Sequence, residues 1–189
     1  MNYHRYGRHQ LEVRDIKKAA SSIFMLGFFT GIIYVNVIAK TYVASMGIFS
    51  DYFLEQYSVN HLDTKEYLFY ILQIRIIPLL ILSIAGCTKY KKTASSIFLL
   101  WTGFSGGIIF TAATFKLGIK GIGLCIVSIL PHFILYIAAY VILILYLYSY
   151  PNIKWNSTKT MSVIIFIMTG IVSECYINPV ILEIFIDLL

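Results

Sequence analysis

The sequence predicts an all-α, polytopic membrane bundle of about five transmembrane helices, the fourth of them kinked, with short amphipathic helices at the surface. Three observations predict it. The 189 residues are 59% hydrophobic and 13% charged, with a mean hydropathy of +0.79, too apolar for an ordinary soluble domain. Long apolar runs recur, and ~20 such residues in a helix cross a hydrocarbon core ~30 Å thick. The charges gather between these runs instead of alternating along them, which argues against the short alternating segments of a β-barrel.

Residues 1–18 form a basic tail containing Arg5, Arg8, Arg14, Lys17 and Lys18, and residues 19–189 form a single transmembrane domain. Span 1 covers about 19–39. Its ~20 apolar residues exceed the roughly 7–15 of a signal-peptide core, so it is expected to be retained, although Val37-Ile38-Ala39 loosely fits a cleavage site. The loop at 40–66 contains MGIFSDYFLEQY, residues 46–57. On a helix this stretch sets Ile48, Phe49, Tyr52 and Phe53 on one face and Asp51 and Glu55 away from it. That pattern suits a helix at the membrane boundary, or one packed over the span ends. Asp63 and Glu66 fit a capping box at the start of span 2, about 67–86.

A basic turn at 89–92 leads into span 3, about 93–115, and residues 116–120 turn the chain into span 4, about 121–150. Some 30 residues would measure ~45 Å, and Pro131 removes a backbone donor inside the run, so a kinked or tilted crossing is expected. A re-entrant half-helix over 121–130 is the alternative. The linker 151–159 precedes span 5, about 160–177. Asn178-Pro179 resembles a helix start, and the following VILEIFIDLL puts Glu183 and Asp187 four residues apart. A short acidic amphipathic helix on the outer surface is expected there.

Five crossings place the tail, the 87–92 turn and the 151–159 linker on one side, with ten Lys/Arg, and leave four on the other. The positive-inside rule puts the N-terminus in the cytoplasm and the C-terminus outside. The net charge of +6 is thereby accounted for at the span ends, and no nucleic-acid patch is implied. Cys87, Cys125 and Cys175 lie in or beside apolar runs, where free cysteine packs as a small hydrophobe. KKAASSIFML (17–26) and KKTASSIFLL (91–100) agree at eight of ten positions. A parallel repeat, with spans 1–2 superposing on spans 3–4, would explain this; so would the common composition of segments that enter a membrane.

Two kinds of residue stand out inside the spans. Gly27 and Gly31 in span 1, and Gly103 and Gly107 in span 3, have the spacing that lets helix backbones approach closely, either to another span or to a second copy of the chain. Ionisable groups in hydrocarbon need partners. Counted along the helix, Arg75 lies ~12 Å and Glu174 ~9 Å below the outer boundary, so a pair between spans 2 and 5 is expected, with Asn36 and Gln73 near enough in depth to complete a polar cluster. A structural clamp and a solvated substrate path are both open readings. His132 follows Pro131 and is expected to donate to a carbonyl freed by the kink, with Glu174 as a shallower candidate for a proton relay. His4, His9 and His61 have no metal-ligand spacing. Asn156-Ser157-Thr158 matches a glycosylation triplet weakly. No nucleophile–base pair, phosphate-cradling glycine loop or paired catalytic carboxylates appear, so neither an enzyme nor a cofactor is expected.

These stretches resemble, in order, the stage II sporulation protein M family. Gly27-Phe-Phe-Thr-Gly31-Ile-Ile-Tyr-Val-Asn36 looks like that family's first helix. Arg75 with Pro78, the glycine-bearing span 3 and Leu130-Pro131-His132 resemble its central region, and Glu174-Cys-Tyr-Ile-Asn178-Pro179 its closing motif. Two departures are present. The family often follows Pro-His with Gly and then an acid, whereas this chain has Phe133 and Tyr136, and it usually has Thr or Ser where Asn178 stands. The resemblance implies a non-enzymatic bacterial cytoplasmic-membrane scaffold. Its partners would be the lipid bilayer and peptidoglycan hydrolases like the stage II sporulation proteins D and P, which act when one membrane engulfs another. The alternative is the permease-like subunit of an export or immunity transporter.

Overall fold

The computed structural model describes residues 2–41, 64–151 and 153–187, and every regular element found there is helical. Helix α1 (Asn2–Tyr34) runs on into a π turn (Val35–Ala39). It is followed by α2 (Thr64–Gly86), α3 (Lys91–Leu117), α4 (Ile119–Ser149) and α5 (Ser157–Val172). A second π turn (Ser173–Ile177) joins α5 to α6 (Asn178–Asp187). Among the described residues, five helical stretches are long and apolar enough to cross a membrane: Val13–Ala39, Tyr67–Gly86, Lys91–Phe115, Ile119–Ser149 and Ser157–Ile184. The chain is a multi-pass, all-α membrane protein.

One expectation is corrected and two open alternatives are decided. Helix α4 passes through Pro131 without a break, so it is one long crossing and the re-entrant half-helix is excluded. Asn178 does not start a separate helix: its φ of −62° and ψ of −43° are helical. Its N–H donates to the carbonyl of Ser173, five residues back, and α6 continues span 5 where an isolated surface helix was expected. The wide turn accommodates Pro179, which has no N–H to return to the preceding turn and whose ring would crowd the carbonyl four residues before it.

The second alternative decided is the repeat. Helix α3 packs along α4, but α1 packs along α3 and, more lightly, α4, with no such run of contact against α2. Spans 1–2 therefore do not copy the pairing of spans 3–4. The basic tail, expected only as a charged segment, is helical and continuous with span 1 from Asn2. The expected helix carrying Asp51 and Glu55 lies outside the described residues, as does Asp63 of the expected capping box, while Glu66 falls in the first turn of α2.

The four glycines meet in one interface. A Cβ on Gly27 would collide with the carbonyl of Leu100, one on Gly31 with that of Phe104, one on Gly103 with that of Phe24, and one on Gly107 with that of Phe28. Contacts rise together along both helices, so α1 and α3 run parallel, as two spans separated by one return crossing must. Each helix presents glycine to the other's carbonyls, and the backbones touch without intervening side chains. The GxxxG faces are thus spent within the chain.

On the other side of the bundle, α4 is packed by α3, α5 and α6. Ile71, Tyr136, Ala139, Val163, Ile167, Ile171 and Cys175 form one buried cluster joining α2, α4 and span 5. Outward-facing positions are also apolar, with Phe29, Val37, Ile81, Trp101 and Ile165 all exposed. A lipid-facing surface has no reason to be polar, so cohesion falls to close packing and to buried polar groups.

Candidate functional site: a buried ionic clamp

Arg75 projects from the middle of α2, His132 and Tyr136 from successive turns of α4, and Glu174 from the π turn within span 5. Ser173, Glu174 and Cys175 are buried consecutively, more than one face of a regular α-helix would turn inward. The wide turn is what aims Glu174 at both α2 and α4.

The carboxylate is saturated. Arg75 donates through Nε to Glu174 Oε2 at 2.9 Å and through Nη2 to Oε1, a two-pronged arrangement. Tyr136 donates its hydroxyl to Oε2 at 2.6 Å. His132 Nε2 stands 3.8 Å from Oε1. The guanidinium also lies over the Tyr136 ring, 4.9 Å from its centroid, adding a cation–π contact. Glu174 is 5% exposed, Tyr136 3% and His132 5%, whereas the Arg75 side chain keeps about a third of its surface open. A planar fork gripping a carboxylate is the strongest side-chain pairing available. In hydrocarbon it also removes the cost of two isolated charges.

The expected Arg75–Glu174 pair is therefore present, and the remainder of the cluster differs. Asn36 is exposed on α1's π turn and donates to the carbonyl of Ile32 in its own helix, while Gln73 is exposed on α2. Similar depth did not bring them to the clamp, because they point to other sides of their helices. His132 was expected to serve a freed carbonyl. Instead it turns Nε2 toward Glu174, and its Nδ1 is buried without a hydrogen-bond partner.

Two members were missed. Tyr136 sits one turn beyond His132, and the four-residue spacing that puts them on one face was the available signal. Gly170, one turn before Glu174, leaves room for the Tyr136 ring: a Cβ there would stand 2.5 Å from Cε1. A lone glycine in an apolar run carries no comparable signal.

Of the outer-surface candidates, Asp51 and Glu55 lie outside the described residues. Glu183 is exposed on α6. Asp187 is the last residue of that helix. Asn156 of the triplet caps α5, its side-chain oxygen accepting from the Lys159 N–H at 3.1 Å. Cys125 and Cys175 are buried and Cys87 is exposed, all three as free thiols. No group of His, Cys, Asp and Glu among the described residues has the geometry to hold a metal ion. Comparison with protein-family models, with curated proteins and with solved structures gives no match.

Proposed function

We propose that this chain is a non-enzymatic membrane scaffold of the kind that stage II sporulation protein M represents. It lies in the bacterial cytoplasmic membrane with its N-terminus inside and its C-terminus outside, and it anchors peptidoglycan-remodelling partners like the stage II sporulation proteins D and P. The saturated clamp is the observation that carries the reading. Glu174 spends its carboxylate on Arg75 and Tyr136, and this single cross-link ties α2, α4 and span 5 together. A charge committed in this way braces a bundle. A transport path needs charges that exchange partners with a cargo, which is why the permease reading is second.

The scaffold would present its partners with the C-terminal end of span 5, where α6 carries the chain out of the last crossing. Its residues Val180, Glu183 and Ile184 are exposed. The test is co-purification of the tagged chain from its own membranes after crosslinking. Peptidoglycan hydrolases should be enriched with the full chain and lost on deleting residues 180–189, while membrane insertion persists. Absence of such enzymes from the full-length sample, or their undiminished recovery with the truncated one, would overturn the proposal.

A further inference from the structure

At the lysine-rich end of the bundle, opposite the clamp, α2 and α5 part over α4. The result is a cleft of about 180 Å³, with Leu79 and Ser83 on one wall, Val163 and Ile164 on the other and Leu143 as its floor. A cavity of about 150 Å³ with a purely aliphatic and aromatic lining holds a benzene-sized apolar group, so this one takes a segment of hydrocarbon chain. Trp155 and Thr160 complete the lining; Trp155 is fixed by donating from Nε1 to Thr160 Oγ1 at 2.7 Å and by edge packing on Tyr146 at 4.9 Å. Tyr146 in turn meets Tyr150. An aromatic cluster with hydrogen-bonding rims marks the level of the lipid headgroups.

Two lysines adjoin residues of that lining in the chain. Lys154 immediately precedes Trp155 and Lys159 immediately precedes Thr160. The Lys159 ammonium, which carries three donors, donates to the Lys154 carbonyl at 2.6 Å, which draws the two residues together. The segments 87–92 and 150–159 that frame this end hold five lysines and no acidic residue. Lys91 is engaged over the Tyr150 ring and Lys89 over the Tyr90 ring, whereas Lys154 and Lys159 are the lysines bonded in sequence to the lining residues Trp155 and Thr160.

We propose that the cleft binds an anionic phospholipid, one acyl chain lying between α2 and α5 and the phosphate held by Lys154 and Lys159. The apolar walls accept a chain of any lipid, and the lysines select the anionic headgroup. Each lysine near a membrane surface favours an anionic partner about fivefold, so the pair should give a preference of at least about tenfold. This site is independent of the scaffold reading and of which partners the chain recruits.

Trp155 is the reporter. In the Trp101→Phe variant it is the sole tryptophan, since the chain has two. The variant is reconstituted into vesicles containing phosphatidylglycerol or phosphatidylcholine with brominated acyl chains, which quench tryptophan on contact. Quenching should favour phosphatidylglycerol at least about tenfold in relative association. Lys154→Gln with Lys159→Gln should bring the two lipids to near equality, and Ser83→Phe, which fills the cleft, should lower quenching by both. Equal quenching at the outset, a preference that survives loss of the lysines, or quenching unchanged by Ser83→Phe would each overturn the proposal. So would quenching by neither lipid, the result expected if a protein segment covers the cleft.

Discussion

Glu174 shows how one residue can hold a bundle together in a solvent that offers no hydrophobic drive. Its carboxylate is buried among α2, α4 and span 5, and its charge is tolerable only because Arg75 and Tyr136 meet it. Removing one partner leaves the other charge stranded, at a cost of about 3–5 kcal/mol. Arg75→Met and Glu174→Met should therefore each lower unfolding free energy in detergent by about that amount. The double change Arg75→Met with Glu174→Met should be far less harmful than the sum, because no charge then remains to be solvated. Simple additivity in a double-mutant cycle would show that the two groups do not interact. Tyr136→Phe deletes one hydrogen bond to a charged acceptor and should cost about 1.5–3 kcal/mol. The pair itself was legible because helical rise converts sequence position into depth, and two opposite charges at one depth in lipid must find each other. His132 and Tyr136 were less so, since counting from the end of a 31-residue helix gives a poor depth when its tilt is unknown.

Between elements, the α1–α3 seam depends on a register of missing side chains. Gly103→Ala and Gly107→Ala each drive a methyl group into a facing carbonyl, and relief requires the helices to separate. Each should destabilise by about 1–3 kcal/mol, the usual cost of overpacking. Gly106→Ala is the control, because its new methyl would meet only the Phe28 ring at 3.8 Å, an ordinary contact. Thermal unfolding of the three variants in one detergent distinguishes them, and equal losses would refute a specific backbone seam. Gly170→Ala belongs with the damaging pair, since it displaces Tyr136 from the clamp. The GxxxG spacing announced a close helix contact, but it left the partner open, and contact within one chain and contact between two copies obey the same rule. The π turn before Pro179 was not legible as such. A proline after asparagine marks the start of a new helix as readily as it marks a widened turn inside a continuing one.

For the molecule as a whole, five crossing helices place the two ends of the described bundle on opposite faces of a membrane. The lysine-rich end should be cytoplasmic, so a reporter fused after residue 189 is expected to be active outside and one fused before residue 1 to be active inside. A cytoplasmic C-terminal reporter would invert the bundle. The C-terminal segment would then face the wrong compartment for peptidoglycan enzymes, and the scaffold reading would fail with it. The lipid site would survive that inversion, since its lysines need only an anionic headgroup.

By itself the sequence determined the class of the protein, the five apolar helices long enough to cross that are found among the described residues, and the existence of an Arg75–Glu174 pair. These follow from quantities that run along one axis, namely hydropathy, length and the rise of a helix. Tertiary structure alone decided what lies around each helix axis: that Tyr136 and His132, and not Asn36 and Gln73, share the clamp; that the glycine faces close on each other within the chain; and that a cleft opens between α2 and α5. Azimuth is set by packing against neighbours far away in sequence, and a pattern read along a single span does not contain it.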